Sequence, residues 1–161
     1  MKDFIKMMTS LGITLVMIWL LFAFFLGIKM APNDDMLPKI GAGDIVVYYR
    51  VDKDPALNDV MMIKKNGTDY LGRVVACSGD EVNITDEGAL YVNGNQVIED
   101  QIFYQTQPYE GFVDYPIKLG TDECFLLSDS RDGGEDSRYY GPVKTKEIRG
   151  TVIGLFRKHG I

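Results

Sequence analysis

Two adjacent carboxylates, Asp34 and Asp35, are the first acidic side chains after a long apolar run. Carboxylates serve as general acids, general bases or nucleophiles, and an aspartic hydrolase needs two of them sharing one site. Neighbouring residues of an extended chain project to opposite sides, so they do not share a site readily. We therefore predict that Asp34 and Asp35 form a solvated turn pair and not a catalytic dyad.

Other residue types that carry catalysis or hold metals are sparse. His159 is the only histidine and lies two residues from the carboxyl end, as is typical of a solvated tail residue. Cys77 and Cys124 belong to no recognisable nucleophile or metal-ligand pattern, so we predict no metal and no cofactor. One disulfide is possible in an exported domain, but each cysteine lies in an apolar run, which favours free, buried thiols.

An uncharged apolar run, LGITLVMIWLLFAFFLGI at residues 11–28, precedes these groups. As a helix it would be about 27 Å long, close to the hydrocarbon thickness of a bilayer. The alternatives are a buried core helix or a cleaved signal peptide, but the run is too long for the latter and lacks small residues at its end. We predict a short tail at 1–10, an uncleaved transmembrane anchor at 11–28 and one domain at 29–161.

The flanking charges predict the orientation of this anchor. Lys2 and Lys6 precede it, with Asp3 as the only acidic residue there. Removing these three residues and Lys29 from the totals of 17 basic and 23 acidic residues leaves 14 and 22, so the portion from Met30 onward carries a net charge of −8. The positive-inside rule places the amino terminus in the cytoplasm and the domain outside the cell membrane. An acidic domain without a basic stripe also argues against nucleic-acid binding.

The region after the apolar run has the pattern of a mainly β fold. Short β-branched and aromatic runs alternate with turn residues, and no helical periodicity is sustained. Asn66-Gly67 and Asn93-Gly94 predict two tight hairpins. Residues 101–119, broken by proline and glycine, are predicted to be either an irregular extended excursion or a mobile loop. Together these features predict a barrel-like or folded sheet. The predicted strands are 45–51, 60–64, 70–76, 82–85, 89–98 (a hairpin), 124–127 and 151–156.

Four segments, in order, resemble conserved boxes of the type I signal peptidase family. The segment PNDDMLPKI at 32–40 resembles the family's Ser-Met-x-Pro box, and GDIVV at 43–47 resembles the Gly-Asp-x-Val that follows it. The segment YLGRVVACSGD at 70–80 resembles Lys-Arg-Val-x-Gly-x-x-Gly-Asp, and SDSRDGGEDSRYYG at 128–141 resembles Gly-Asp-Asn-Arg-x-x-Ser-x-Asp-Ser-Arg-x-x-Gly. Any one box is a weak signal, but their order after an amino-terminal anchor is specific. The resemblance implies the family's folded β-sheet domain.

Departures from these boxes fall on the catalytic positions. The family uses a serine nucleophile activated by a neutral lysine, but Asp35 stands at the serine position and Gly72 at the lysine position. Gly134 replaces the serine that orients the lysine. Loss of nucleophile or base costs about a million-fold in turnover, so we predict a chain inactive by this route. Restoring both residues should recover little, because the lysine would be solvated and poorly oriented. Lys39 or Lys64 reaching Asp35 would reopen catalysis.

The resemblance also implies roles for other residues of the boxes. Met36, Leu37 and Pro38 would shape the substrate cleft, with ordinary packing near the membrane as the alternative. Arg–carboxylate pairs would hold the last box near Asp35, with a solvated charge run as the alternative. The residues in these binding or structural positions are Arg73, Asp129, Arg131, Asp136, Ser137 and Arg138.

The substitution of all three catalytic positions, the short domain and the single anchor closely resemble the SipA-type signal-peptidase-like proteins of Gram-positive pilus gene clusters. That resemblance implies a non-enzymatic, chaperone-like assistant in pilus assembly, whose partners are the membrane and an exported protein such as a pilin subunit, a sortase or both. One alternative is a diverged signal peptidase with residual or unconventional activity. Another is a structural partner of an active signal peptidase or a sortase. The sequence leaves the partner, its binding surface and the oligomeric state open.

Overall fold

The computed structural model describes residues 2–100, 102 and 104–158. In chain order the elements are α1 (Lys2–Phe25), β1 (Leu26–Met30), β2 (Ile45–Tyr49), β3 (Val60–Lys65), β4 (Thr68–Ala76), β5 (Glu81–Ile84), β6 (Leu90–Val92), β7 (Asn95–Gln96), β8 (Ile117–Lys118), β9 (Glu123–Leu127), α2 (Ser137–Tyr140), β10 (Val143–Lys144), a 3₁₀ turn (Thr145–Glu147) and β11 (Ile148–Phe156).

The amino-terminal helix α1 is long and apolar enough to cross a membrane, and none of its most apolar window is buried against the rest of the chain. It begins at Lys2, so the predicted tail is already helical, and it ends at Phe25 instead of residue 28. The apolar residues that follow form β1, whose Leu26 pairs with Tyr49 and whose Met30 pairs with Ile45. Their backbone groups therefore bond to β2 and not to the helix.

All the strand pairs are antiparallel and form two sheets. The larger has seven strands in the order β1-β2-β11-β3-β4-β9-β10, and the smaller has four in the order β7-β6-β5-β8. The predicted mainly β fold with one amino-terminal apolar helix is thus confirmed. The last strand begins at Ile148, three residues earlier than predicted, because its first residues pair with β3.

Both predicted hairpins are present. Asn66 and Gly67 have φ values of 52° and 90° and join β3 to β4, while Asn93 and Gly94 have φ values of 51° and 77° and join β6 to β7. Two successive residues at positive φ match the twist of the flanking strands, which is why Asn-Gly is favoured there.

The region 101–119 was predicted to be either an irregular extended excursion or a mobile loop. Its described residues form an irregular excursion that packs on the domain. Thr106 and Leu119 are buried, and Ile117–Lys118 adds β8 to the edge of the smaller sheet. Gln101 and Phe103 lie outside the described residues. The helix α2 has only four residues, too few to leave a periodic signal in the sequence.

The core consists of three apolar clusters. One lies behind β1 and β2 and contains Met36, Val46 and Tyr48. The second contains Val74 and Leu126 and lies where β3, β4, β9 and β11 meet. The third joins the two sheets and is formed by Val75, Ala76, Val82, Ile84, Leu90, Leu119, Phe125 and Leu127. The second cluster fills the face of β4 that bears on the candidate site.

Both cysteines are free, as predicted; Cys124 is buried and Cys77 is half-buried. Burial raises the pKa of the Cys124 thiol to about 12 and raises the pKa of Cys77 above its ordinary value. We expect iodoacetamide at mildly alkaline pH to alkylate Cys77 slowly and Cys124 more slowly still in the native chain, because the reactive thiolate is scarce. Both should react at once in denaturant. Mass spectrometry of the labelled chain tests this, and fast native labelling of Cys124 or a disulfide would contradict it.

Candidate functional site

Asp35, which the resemblance places at the family's nucleophile position, is half-buried in the turn between β1 and β2. Its Oδ2 accepts hydrogen bonds from Asn33 Nδ2 at 2.6 Å and from the backbone N–H of Glu135 at 3.2 Å. Its carbonyl oxygen accepts from the backbone N–H of Ser130 at 2.8 Å. The side chain and the main chain of Asp35 therefore both bind the loop at 128–138. Asp34 is exposed and instead accepts from the Ala42 N–H at 2.7 Å, so the two carboxylates do not share a site.

Burial raises the pKa of the Asp35 carboxyl above its ordinary value, and the nearby acidic groups of Asp136 and Glu135 add to this, while the two hydrogen bonds oppose it. Within the described part of the chain, no lysine or arginine forms a hydrogen bond or ion pair with Asp35. The surroundings of Asp35 therefore make its carboxyl group harder to ionise. No described lysine or arginine is bonded to it that could act as a base.

Replacing Asp35 with Asn should make the folded state less sensitive to rising pH. When folding raises the pKa of a carboxyl, the group does not lower the free energy of unfolding at a pH below its pKa in the unfolded state. As the pH rises through its pKa in the folded state, the group lowers that free energy increasingly. Asn can accept both bonds to Oδ2 without ionising. We expect the stability of Asp35→Asn relative to the unchanged chain to increase as the pH rises above about 4. Thermal unfolding of both chains across acidic to neutral pH measures this, and a difference that stays constant or shrinks would contradict it.

Gly72, which the resemblance places at the position of the family's general base, lies on a closed and packed face of β4. Residues 70, 72 and 74 share this face because side chains alternate along a strand. Tyr70 and Val74 both belong to the second core cluster. A Cβ on Gly72 would lie 2.9 Å from Leu126 Cβ on the neighbouring strand, closer than side chains approach in practice. A lysine here would enter an apolar interior, so the prediction that it would be solvated is wrong.

Gly134, which the resemblance places at the position of the orienting serine, is buried and has no room for a side chain. A Cβ there would lie 2.2 Å from Ser128 Oγ and 2.7 Å from the carbonyl oxygen of Ser130. The hydroxyl of Ser128, which stands where the family's box begins with glycine, lies 2.8 Å from Asp136 Oδ2. Compared with the family's box, the hydroxyl group is therefore on residue 128, and residue 134 has no side chain.

A double-mutant cycle on these two positions tests that exchange. Gly134→Ser alone should be destabilising by about 1–3 kcal/mol, as overpacking usually is. Ser128→Gly removes the nearest obstructing atoms, so the double variant should be more stable than the sum of the two single changes predicts. The remaining contact with the Ser130 carbonyl should keep the rescue incomplete. Denaturant unfolding of the four chains gives the coupling energy, and simple additivity would show that the two positions do not compete for the same space.

The carboxyl-terminal half of this loop is fixed by a fully buried ion pair. Arg138 and Asp136 have no exposed side-chain surface and meet at 2.8 Å. Arg138 also donates to the carbonyl of Gln107 at 3.0 Å and stacks over Tyr109, with 4.4 Å from the guanidinium to the ring centre. Ser137 accepts a 3.0 Å bond from the Leu126 N–H, which ties the loop to β9. These charges are buried, contrary to the alternative of a solvated run.

The amino-terminal half is held by two further arginines. Arg73 clamps Asp129 through two parallel bonds, of which the Nε–Oδ1 bond is 2.7 Å long. Arg131 is buried, bonds to both carboxylate oxygens of Glu99 at 2.8 and 2.7 Å, and reaches Thr106 Oγ1 at 2.6 Å. The bidentate Arg73–Asp129 pair is directional, so it holds the loop at a defined distance from β4.

The three residues predicted to shape a substrate cleft separate in the structure. Met36 is 1% exposed and packs in the core cluster behind β1 and β2, as the packing alternative has it. Leu37 and Pro38 are exposed. Lys39 lines a pocket of about 560 Å³ that is bordered by Arg73. The pocket is apolar on one side, where it is lined by Leu57, Val74, Val75, Val92, Val97, Ile98 and Ile102.

The other candidate bases lie elsewhere. Lys39 and Lys64 are exposed, and neither forms a hydrogen bond or ion pair with Asp35. Lys64 lines a different pocket, beside Lys29 and Asp69. His159 lies outside the described residues. Among residues 2–100, 102 and 104–158, no group of three His, Cys, Asp or Glu side chains could hold a metal ion.

Several residues of the site were not identified from the sequence. Asn33 lies in the first box-like segment but was given no role, while Glu99, Thr106 and Tyr109 belong to no box; all four contact the loop or Asp35. Only Asn33, two residues before Asp35, carried a local signal, because Asn side chains commonly bond to the backbone two residues further on. The others come from distant segments and are found only by folding the chain.

Comparison with known proteins identifies the family of this chain. The family model described as "Signal peptidase, peptidase S26" matches residues 4–156. The chain is 26% identical over 139 residues to "Probable signal peptidase I-2" of Synechocystis sp., with 80% of this chain and 62% of that relative covered. It is 30% identical over 145 residues to "Probable thylakoidal processing peptidase 2, chloroplastic" of Arabidopsis thaliana, with 78% of this chain and 36% of that relative covered. The chain thus spans less than two thirds of the length of these relatives.

A crystal structure of a signal peptidase I from Enterococcus faecalis V583 is also similar. The match covers 63% of this chain and 99% of that chain, with a TM-score of 0.49 and 24% sequence identity. The family model spans nearly the whole sequence, so one family accounts for both the four box-like segments and the β domain. This chain belongs to the signal peptidase family, peptidase S26.

Proposed function

We propose that this chain is a non-catalytic member of its family, which acts as a chaperone-like assistant in the assembly of pilus polymers at the cell surface. The observation that carries the proposal is the chemistry at the three catalytic positions. Asp35 is held by Asn33 and Glu135 and bonds to no lysine or arginine among the described residues, and neither Gly72 nor Gly134 has space for a side chain. A serine hydrolase that lacks nucleophile and base loses about a million-fold in turnover.

The same proposal includes a location. The apolar helix α1 would anchor the chain in the cell membrane with its amino terminus in the cytoplasm and the β domain outside. Its length and composition suit a membrane span, and its flanking lysines follow the positive-inside rule. In this arrangement the β domain would meet exported proteins as they leave the membrane.

Two features suit the β domain to hold an extended peptide. The pocket beside Arg73 combines an apolar wall with charged side chains at its rim, and its Ile98 is 83% exposed. In addition, β4 pairs with β9 only from Arg73 onward, so its residues 68–72 have a strand partner on one side only. A peptide added to such an edge binds through main-chain hydrogen bonds, and this requires no catalytic residue.

The partner class comes from the resemblance to the SipA-type proteins of pilus gene clusters, and we propose a pilin subunit, a sortase or both. A strain that encodes this chain and assembles pili should lose high-molecular-weight polymers when the chain is deleted. Complementation with Asp35→Ala should restore the polymers, because the carboxylate does no chemistry. Complementation with Ile98→Glu should restore fewer, because a charge enters the pocket, while Val51→Glu, at a residue 53% exposed outside this pocket, should restore them fully.

Immunoblots of cell-wall extracts measure the polymers in each strain, and crosslinking in intact cells followed by mass spectrometry identifies the partner. Polymers that persist in the deletion strain would end the proposal. Crosslinks to an active signal peptidase alone, without pilin or sortase, would favour a structural role in that complex.

A diverged peptidase is the second candidate, because the curated relatives above are named as peptidases and Asp35 keeps a half-buried position beside Glu135. Purified full-length chain in detergent, incubated with signal-peptide substrates, decides between the two. Our proposal expects no cleavage above background. Cleavage that disappears in Asp35→Asn would establish an unconventional peptidase instead.

A further inference from the structure

A pocket of about 340 Å³ opens on the face of β1 and β2 that is turned away from the exposed apolar face of β1. Its floor contains the buried side chains of Tyr48 and Met62, and Asp69 is its only acidic residue. The remaining lining residues are all basic: Lys29, Arg50, Lys53, Lys64 and Arg149. Five of the 17 basic residues of a chain with net charge −6 therefore converge on one small pocket.

Little in the described chain neutralises this charge. Lys29 pairs with Asp69 at 2.8 Å. Arg50 lies 5.9 Å from the ring centre of Tyr48, and no hydrogen bond or ion pair joins the side chains of Arg50, Lys53, Lys64 or Arg149 to another described residue. Like charges that line one pocket repel each other, so an anion bound among them would be favourable. Arginine forks and lysine ammonium groups together suit the oxygens of a phosphate.

The pocket lies at the point where α1 ends. The backbone N–H of Arg50 donates to the carbonyl of Phe25, the last residue of the helix, at 2.8 Å. Lys29 follows four residues later, on β1. On the opposite face of that strand, Ile28 and Met30 are 67% and 65% exposed. If α1 crosses a bilayer, the apolar face and the basic pocket both lie at the level of the lipid headgroups.

We propose that this pocket binds the phosphate of an anionic phospholipid in the membrane leaflet that the β domain faces. The proposal rests on the membrane anchoring of α1 but not on the role in pilus assembly. The lipid phosphate would neutralise part of the positive charge of the basic residues that line the pocket. It would thereby hold β1 and β2 against the bilayer surface, while the acidic remainder of the domain stays in water. Attraction of basic side chains to an anionic leaflet is strong only within about a Debye length of the surface, which is where the pocket lies.

Lysine footprinting of the full chain in lipid nanodiscs tests the site without any functional assay. Discs of phosphatidylcholine are compared with discs that also contain phosphatidylglycerol, and acetylation of each lysine is followed by mass spectrometry. We expect phosphatidylglycerol to protect Lys53 and Lys64, whereas the exposed Lys118, Lys144 and Lys146 outside the pocket should react equally in both. A third arm adds inorganic phosphate to discs of phosphatidylcholine, and this should protect poorly.

The variant Arg50→Gln/Arg149→Gln keeps every lysine and removes two pocket charges. We expect the lipid concentration needed for protection to rise about 30-fold, since each basic residue near an anionic surface contributes about a five-fold gain in affinity. Lys144→Gln/Lys146→Gln makes the same change in net charge elsewhere and should leave protection of Lys53 and Lys64 unchanged. Equal protection in both disc types, or loss of protection in both variants, would overturn the proposal. Protection by inorganic phosphate as strong as that by the lipid would overturn the assignment to a lipid.

Discussion

Asp35→Ser combined with Gly72→Lys is expected to leave signal-peptide cleavage at background and to destabilise the β domain. The lysine Cβ would lie 2.9 Å from Leu126 Cβ, and no rotation of the lysine relieves a contact made at Cβ. Overpacking of this kind costs about 1–3 kcal/mol. The amine would also enter an apolar cluster, and the hydroxyl that orients it in the family has no space at Gly134. Denaturant unfolding and a cleavage assay on the full chain in detergent measure the two effects.

Three control variants separate steric cost from lost chemistry. Asp35→Ser alone should fold normally and remain inactive. Gly72→Ala carries the Cβ without the amine and should account for part of the destabilisation. Adding Leu126→Gly to the double variant should remove the obstructing Cβ, yet activity should stay low because Gly134 still leaves the amine without its orienting partner. Efficient cleavage by Asp35→Ser/Gly72→Lys would mean that the scaffold is still organised for catalysis, and the proposed non-catalytic role would have to be abandoned.

Replacing Arg138 with Met should be the most destabilising single change in the domain. Arg138 and Asp136 are both fully buried, and the change leaves the Asp136 carboxylate without its cation. Breaking a buried pair in this way typically costs about 3–5 kcal/mol, a large share of the stability of a small domain. The same change removes the bond to Gln107 and the stacking on Tyr109, so the loop that contacts Asp35 should loosen as well.

Arg157→Met, at an exposed arginine near the end of the described chain, is the matched control and should change stability by less than about 0.5 kcal/mol. Chemical unfolding of the three chains in the same detergent gives the comparison, and protection of the loop backbone against hydrogen exchange reports on its order. An Arg138→Met chain as stable as the control would show that water reaches Asp136 and that the ion pair is not buried.

The role proposed here also depends on the loop at 128–138. Arg73, Arg131 and Arg138 each bind a carboxylate, and together they hold the segment that donates to Asp35. The resemblance implies that an active peptidase uses the same loop to orient its base. In this chain the same framework can keep the pocket beside Arg73 in one shape, which is what a surface that binds an extended peptide requires.

Much of the fold could be read from local patterns. The β-branched runs predicted most of the strands to within a few residues, and Asn66-Gly67 and Asn93-Gly94 predicted both hairpins, because turn conformations depend on the residues in the turn itself. The boxes located Asp35 and Gly72 and pointed to the family. The end of α1 was missed, since an apolar run is equally compatible with a helix or a strand until β2 is present to pair with it.

Residue type and order were enough to predict the family, the β-rich fold, the apolar helix and the residues that match the family's catalytic positions. The three-dimensional structure was needed to show that Gly72 faces Leu126, that Ser128 fills the space beside Gly134, that Glu99 pairs with Arg131 and that five basic residues from four segments line one pocket near the end of α1. The physical reason is that space, burial and charge at a point depend on strand pairings between residues far apart in the chain, and no local pattern encodes those pairings.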